Sequence, residues 1–149
     1  APTPAFFGNT PTLAFSTAAA EKVQWSVEVP SDMNVERASS LLAVVGGCSA
    51  STENVRSVLD YLNTCHAGGN PEAAALSTAN NLTASTTTGR LSEQLIGTFS
   101  SGSFSQHSVL SFAWMRNSCS TAAGDAHPGS IHVVSFQLQY YARRSSTST

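Results

Sequence analysis

The residues whose types and spacing could support chemistry lie near the C-terminal end, in the run GDAHPG at 124–129. Asp125 and His127 from this run, with His132 just beyond it, could hold a metal ion or form an acid-base pair. A metal needs three or four convergent ligands with an oriented second shell, and the spacing does not guarantee that convergence. Because Pro-Gly after a histidine is ordinary turn chemistry, we interpret the run as a structural turn and expect neither a metal nor a cofactor.

Arg116 and Asp125 are a second candidate pair, because Arg116 ends a strand-like run and Asp125 lies in the loop that follows it. The two side chains could form an ion pair that closes the loop, or each could be solvated; we favour the ion pair, as a structural feature. The sequence contains no G-x-S-x-G elbow, P-loop or G-x-G-x-x-G, and Cys48 has no evident base beside it. These residues predict a protein that is not an enzyme and has no small-molecule substrate.

The charge composition makes several classes of partner improbable. Seven basic and nine acidic residues give a formal net charge of -2, and 11% of the residues are charged, so no basic stripe is present to bind nucleic acid or an anionic membrane. No segment resembles a secretory leader or a membrane span, and we expect a soluble chain made in the cytoplasm. A surface of Ser, Thr, Asn and Gln is common in β-rich assemblies and indicates packing against neighbouring subunits.

The strands that must position these groups are marked by alternation of apolar and polar residues. Three runs alternate clearly: Lys22–Val29, Ser108–Arg116 and Ser130–Tyr141. The faces predicted to point to the core carry Val23, Trp25, Val27 and Val29 in the first run, Leu110, Phe112 and Trp114 in the second, and Val134, Phe136, Leu138 and Tyr140 in the third.

Further strands are predicted at Ser39–Val45 and Leu91–Ser100, with a weak edge strand near Leu76–Ala84. The stretch Glu53–Cys65 fits both a helix and a strand, and its weak helix formers and strand-rich context favour a strand. Six or seven strands without helix-strand alternation predict an all-β fold, a two-sheet β-sandwich or jelly roll. We expect one domain over 22–144 and a disordered polar tail at 145–149.

Residues 1–21 contain three prolines and apolar side chains without a period of 2 or 3.6. Because proline removes a backbone donor and fixes φ, we predict an extended N-terminal arm. Its large apolar side chains need a surface, which is either the arm's own domain or a neighbouring subunit. The candidate partner-binding residues of the arm are Phe6, Phe7, Leu13 and Phe15.

The order WSVEVPSDMN, ENVRSVLDYL, SVLSFAWMRN, GD and a last strand ending in Gln139-Tyr140 resembles the jelly-roll domains of tailed-phage structural proteins, in particular those of the head decoration (cement) or head-fibre type. Those domains show an alternating strand followed by a P-x-D turn, a V-x-x-x-x-x-Y strand, a strand ending in Arg and a last strand ending in Tyr. The matching residues here are Pro30, Asp32, Val55, Tyr61, Arg116 and Tyr140.

The resemblance covers roughly residues 22–143 and implies a virion protein that forms a homotrimer and clamps neighbouring major capsid protein subunits. The alternative is a receptor-binding or carbohydrate-binding β-sandwich of a phage fibre or spike. That alternative requires Trp25, Trp114, Tyr140 or Tyr141 to be exposed as a stacking platform. We favour the capsid role, with Trp25, Trp114, Arg116, Asp125 and Tyr140 as structural residues.

The three cysteines Cys48, Cys65 and Cys119 predict free thiols, because they are odd in number and show no metal-binding spacing. A Cys48–Cys65 bridge is the alternative. Titration of the denatured, unreduced protein should therefore find all three thiols reactive, whereas a single reactive thiol would identify the bridge.

Overall fold

The computed structural model describes residues 2–17, 21–47, 54–65, 76–83, 90–116 and 129–143. The predictions for Cys48, Cys119, Asp125, His127 and the tail 145–149 lie outside these ranges. Nine strands form within them: β1 (Thr3–Phe7), β2 (Thr10–Phe15), β3 (Glu21–Glu28), β4 (Ser39–Gly47), β5 (Asn54–Cys65), β6 (Leu76–Thr83), β7 (Leu91–Phe99), β8 (Ser108–Arg116) and β9 (Ile131–Gln139). The predicted all-β fold is confirmed.

The strands pair as a nested antiparallel hairpin, in which β2 pairs with β9, β3 with β8, β4 with β7 and β5 with β6. Two more pairings, β4 with β9 and β5 with β8, join these pairs into sheets. One sheet has five strands in the order β1-β2-β9-β4-β7, and the other has four in the order β3-β8-β5-β6. Four nested strand pairs rolled into two packed sheets form a jelly roll, as predicted.

Aromatic rings fill the space between the two sheets. Trp114 on β8 is fully buried, and its ring meets that of Phe15 edge-on at 4.7 Å between centroids. Its indole Nε1 donates to the Ser57 hydroxyl at 2.6 Å. This gives the buried N–H group a hydrogen-bond partner. Trp25 on β3 stacks on Phe136 of β9 at 4.2 Å.

The stretch that sequence left open between helix and strand is strand β5. Its residues Val55, Ser57 and Leu59 are buried in alternation, which is the period of a strand and not of a helix. The expected weak edge strand is also confirmed, because β6 lies at the end of the four-stranded sheet.

The prediction for the core face of β9 is partly wrong. Val44 pairs with Ser135 while the next residue, Val45, pairs with Val133, so Val134 is an extra residue in a β-bulge. A bulge shifts the alternation by one residue. The core face of β9 therefore changes from Ile131 and Val133 to the partly buried Phe136 and Leu138, and Val134 does not belong to it.

The expected extended arm is also wrong, because β1 and β2 form a hairpin around the two-residue turn Gly8-Asn9. Gly8 has a φ of 60°, which fits glycine at the first turn position of a type II′ hairpin. The prolines are tolerated because β1 is an edge strand and because Pro11 precedes the pairing of β2 with β9, which begins at Leu13. This segment is part of the jelly roll.

The hairpin divides the four apolar residues of the predicted arm, and this division is testable. Phe15 is fully buried while Phe6 is 72% exposed. We expect Phe15→Ala to lower the free energy of unfolding by about 3–5 kcal/mol, measured by urea denaturation. The matched variant Phe6→Ala should change it by less than about 0.5 kcal/mol. Equal effects of the two substitutions would contradict this placement of the hairpin.

Candidate functional site

The tip of the β1–β2 hairpin folds across the outer face of the five-stranded sheet. Phe7 lies on β1, at the edge of that sheet, yet its ring centroid is 5.3 Å from that of His132 on β9. Its ring atoms also lie 2.9 Å from the position that a Cβ on Gly46 of β4 would take. Because β2 and β9 separate β1 from β4 in the sheet order, these contacts require the tip to curl over the sheet.

His132 is buried beneath this tip. Its imidazole Nδ1 lies 2.9 Å from the Thr12 hydroxyl in a hydrogen bond, and the residue is 7% exposed. Burial lowers the pKa of His132 below the ordinary value of 6.5. The sequence suggested His132 as a metal ligand or acid-base group; in the fold its Nδ1 is engaged by the hairpin.

The opposite side of the hairpin presents apolar groups to solvent. Phe6 points away from the Phe7 face and pairs in register with Pro11, which is also exposed. We call these two residues the hairpin knob. Beside the knob, an apolar cleft of about 370 Å³ opens between the hairpin and β3, with Pro11, Leu13, Val23, Trp25, Val133 and Phe136 among its lining residues.

A second exposed apolar surface lies on the outer face of the same sheet. Leu91 and Leu95 of β7 are 44% and 48% exposed. They pair with Gly46 and Leu42 of β4, whose neighbours Leu41, Ala43 and Val45 point into the core. We call Leu42, Val44, Leu91 and Leu95 the outer patch. The sequence analysis identified the strands but not this patch, because alternation does not show which residues of an outer face remain uncovered.

Arg116 lies at the inner end of the hairpin. It is fully buried, and its guanidinium donates to the carbonyl of Phe15 at 3.1 Å and to that of Gly129 at 2.7 Å. These bonds hold the end of β2 against the entry to β9. The predicted ion pair with Asp125 stays a prediction.

Tyrosines at the end of β9 border a polar hollow of about 500 Å³, lined by Ala38, Ser39, Ser40, Leu138, Gln139, Tyr140 and Tyr141. Tyr140 donates from its hydroxyl to the Asp32 carboxylate at 2.9 Å, and this bond raises the pKa of Tyr140. Tyr141 is 57% exposed, and the Arg37 guanidinium lies 4.2 Å from its ring centroid.

The aromatic residues considered for a stacking platform are therefore not equivalent. Trp114 is buried, and Trp25 is packed between Phe112 and Phe136. Of the four aromatic residues considered, Tyr141 alone is classed as exposed.

This chain has distant neighbours among solved structures. The sequence matches no protein-family model and no curated protein. The structure resembles that of TmCBM61, solved in complex with β-1,4-galactotriose, with a TM-score of 0.44 and 10% identity over 88% of this chain and 71% of that chain. It also resembles the structure of infectious bursal disease virus Gt strain, with a TM-score of 0.32 and 14% identity over 92% of this chain and 37% of that chain. Neither likeness bears on function at these scores.

None of the described residues form a helix with the length and hydrophobicity that a membrane span requires. Among the same residues, no group of three or more His, Cys, Asp or Glu side chains is placed to hold a metal ion.

The packing of Phe7 over Gly46 can be tested by a double-mutant cycle. A Cβ at Gly46 would lie 2.9 Å from the ring of Phe7, so Gly46→Ala should lower the free energy of unfolding by about 1 kcal/mol, because the ring must move. In a Phe7→Ala background, the same substitution should cost less, because the Cδ2 atom of Leu91, 3.0 Å from that position, still crowds it but the ring does not. Additive effects in thermal or urea denaturation would show that the ring does not occupy this position.

Proposed function

We propose that this protein is a virion structural protein that docks on a capsid, as a decoration or cement protein does, through the outer face of its five-stranded sheet. The proposal depends mainly on the outer patch. Leu91 and Leu95 are nearly half exposed and flank the exposed Glu93 on the outer face of β7, where Leu95 pairs with the partly buried Leu42 and Glu93 pairs with the partly buried Val44. Exposed apolar side chains that are grouped on one face of a sheet mark many protein-protein contacts.

The free energy available from this patch is appropriate for docking. Complete burial of a leucine side chain is worth roughly 1.5–3 kcal/mol relative to full exposure. Since Leu91 and Leu95 are 44% and 48% exposed, covering both would contribute about half of that amount each. One leucine is too weak for stable attachment, whereas a symmetric assembly repeats the contact in every subunit.

The hairpin knob is a second element available to a partner. Of the four arm residues that sequence analysis assigned to partner binding, Phe15 is in the core, Leu13 packs against it and Phe7 packs on the sheet. Phe6 remains exposed beside Pro11. We assign the partner contact of this segment to Phe6, with the homotrimer and the major capsid protein as the proposed partners and the virion as the location.

A paired substitution tests the docking role. The variant Leu91→Gln/Leu95→Gln should weaken binding to bare capsids of the parent virus about tenfold or more in co-sedimentation, because the two leucines contribute most of the exposed area. Its free energy of unfolding should change by less than about 1 kcal/mol, since both sites are exposed.

Val27→Gln provides the matched control, because Val27 of the other sheet is 39% exposed and not in the core, where the sequence analysis placed it. It should leave capsid binding unchanged. Light scattering on the eluted protein gives the mass of the assembly, for which we expect a trimer. Equal binding by the double variant and the wild type would exclude the outer patch as the docking surface.

Carbohydrate binding is the second candidate, and the exposed ring of Tyr141 beside the polar hollow favours it. Aromatic rings commonly supply an apolar face next to a polar edge in binding sites. If this function is correct, an oligosaccharide array should identify a ligand whose binding is lost in Tyr141→Ala and kept in Leu91→Gln/Leu95→Gln. The capsid role predicts instead that Leu91→Gln/Leu95→Gln loses capsid binding and that Tyr141→Ala keeps it.

A further inference from the structure

The contact between the hairpin and the sheet contains a titratable group at its centre. His132 belongs to the outer face of the five-stranded sheet, since its pair partner Gly46 alternates with the core residue Val45. Farther along β9, the outer-face residue Gln137 is exposed. Among the described residues, Phe7 and Thr12 of the hairpin contact His132, which is 7% exposed.

The described strands that contact the imidazole carry no charged side chain. Strands β1, β2 and β4, which supply Phe7, Thr12 and Gly46, contain no ionisable side chain, and His132 is the one ionisable residue of β9. Charged groups occur around this contact: Glu93 lies on the outer face of β7 opposite Val44, Glu21 accepts from the Ser16 amide, and Arg116 binds the carbonyls of Phe15 and Gly129. A positive imidazole must lose hydration to stay beneath Phe7.

We propose that His132 is a pH-sensitive latch, whose protonation releases the tip of the β1–β2 hairpin from the outer face of the five-stranded sheet. The hydrogen bond to Thr12 does not determine whether the tip is released, because a hydroxyl can donate to a neutral ring nitrogen and accept from a protonated one. The free energy that favours release is the cost of keeping the charged ring out of water. This cost is removed when the tip lifts and water reaches His132. Phe15 and Arg116 keep the base of the hairpin in place.

The direction of the pH dependence follows from the lowered pKa of His132. Burial lowers the pKa of His132 when the tip is docked, whereas the exposed imidazole of the released state has an ordinary pKa near 6.5. The released state therefore binds more protons between these two values. Docking is strongest above pH 6.5 and weakens as the pH falls toward the lower value. The latch belongs to the isolated chain and does not depend on the proposed capsid role.

Hydrogen exchange of the full chain, read by mass spectrometry, tests the latch. After correction for intrinsic exchange rates, amides of residues 2–12 should lose protection by up to about tenfold per pH unit below 6.5. Amides of β8, in the middle of the other sheet, should keep theirs. Unchanged protection of residues 2–12 between pH 7.5 and pH 5.5 would overturn the proposal.

His132→Asn is the informative variant, because the asparagine side chain can place a hydrogen-bonding atom near the former Nδ1 and cannot become charged. It should remove the pH dependence of the hairpin amides. His107→Asn is the matched control: His107 is exposed, and asparagine tolerates its φ of 59°. It should keep the wild-type dependence. The same pH dependence in His132→Asn as in the wild type would exclude His132 as the latch.

Titration of the wild-type histidines by NMR keeps the proposal testable if His132→Asn does not fold. A pKa of His132 clearly below 6.5, with shift changes in the Phe7 and Thr12 resonances over the same pH range, supports the latch. A pKa at or above 6.5 would overturn it.

Discussion

Phe15 connects the N-terminal hairpin to the core, and the arrangement of the outer face depends on this connection. Its ring packs edge-on against Trp114, and its carbonyl accepts from the buried Arg116. A buried guanidinium is tolerated when backbone carbonyls replace the water molecules that would hydrate it. Here Phe15 and Gly129 provide these carbonyls. Because Gly129 lies just before β9, the side chain of Arg116 aligns β2 with β9. The hairpin tip can then reach Gly46 only by crossing His132.

The alternation of residues within single strands was enough to predict much of the fold. The predicted face of Leu110, Phe112 and Trp114 is buried as expected, because each residue alternates along one continuous strand. The bulge at Val134 could not be predicted in this way, since an extra residue is defined only against the register of a partner strand. Its effect is to move Val134 off the core face.

The N-terminal hairpin was missed for a different physical reason. The prolines exclude a central strand, whereas proline is compatible with an edge strand and with positions outside a pairing. The dipeptide Gly8-Asn9 was an available hairpin signal. The burial of His132 could not be predicted from β9 alone, because the covering residues come from a segment about 120 positions earlier in the chain. The outer patch has the same origin, since a face is apolar and bare only where no distant segment covers it.

The outer patch and the hairpin meet at Leu91. Its Cδ2 atom lies 3.0 Å from the position of a Cβ on Gly46, and the ring of Phe7 approaches the same position. With the tip docked, Phe7 covers Gly46 and Leu91 borders the exposed surface. With the tip released, Gly46 and Phe7 would add apolar area to that surface, and His132 at its edge would carry a charge. Protonation of one histidine can thus change both the apolar area and the charge of the face that we propose binds a partner. The core around Trp114 is unchanged, because Phe15 and Arg116 keep the base of the hairpin in place.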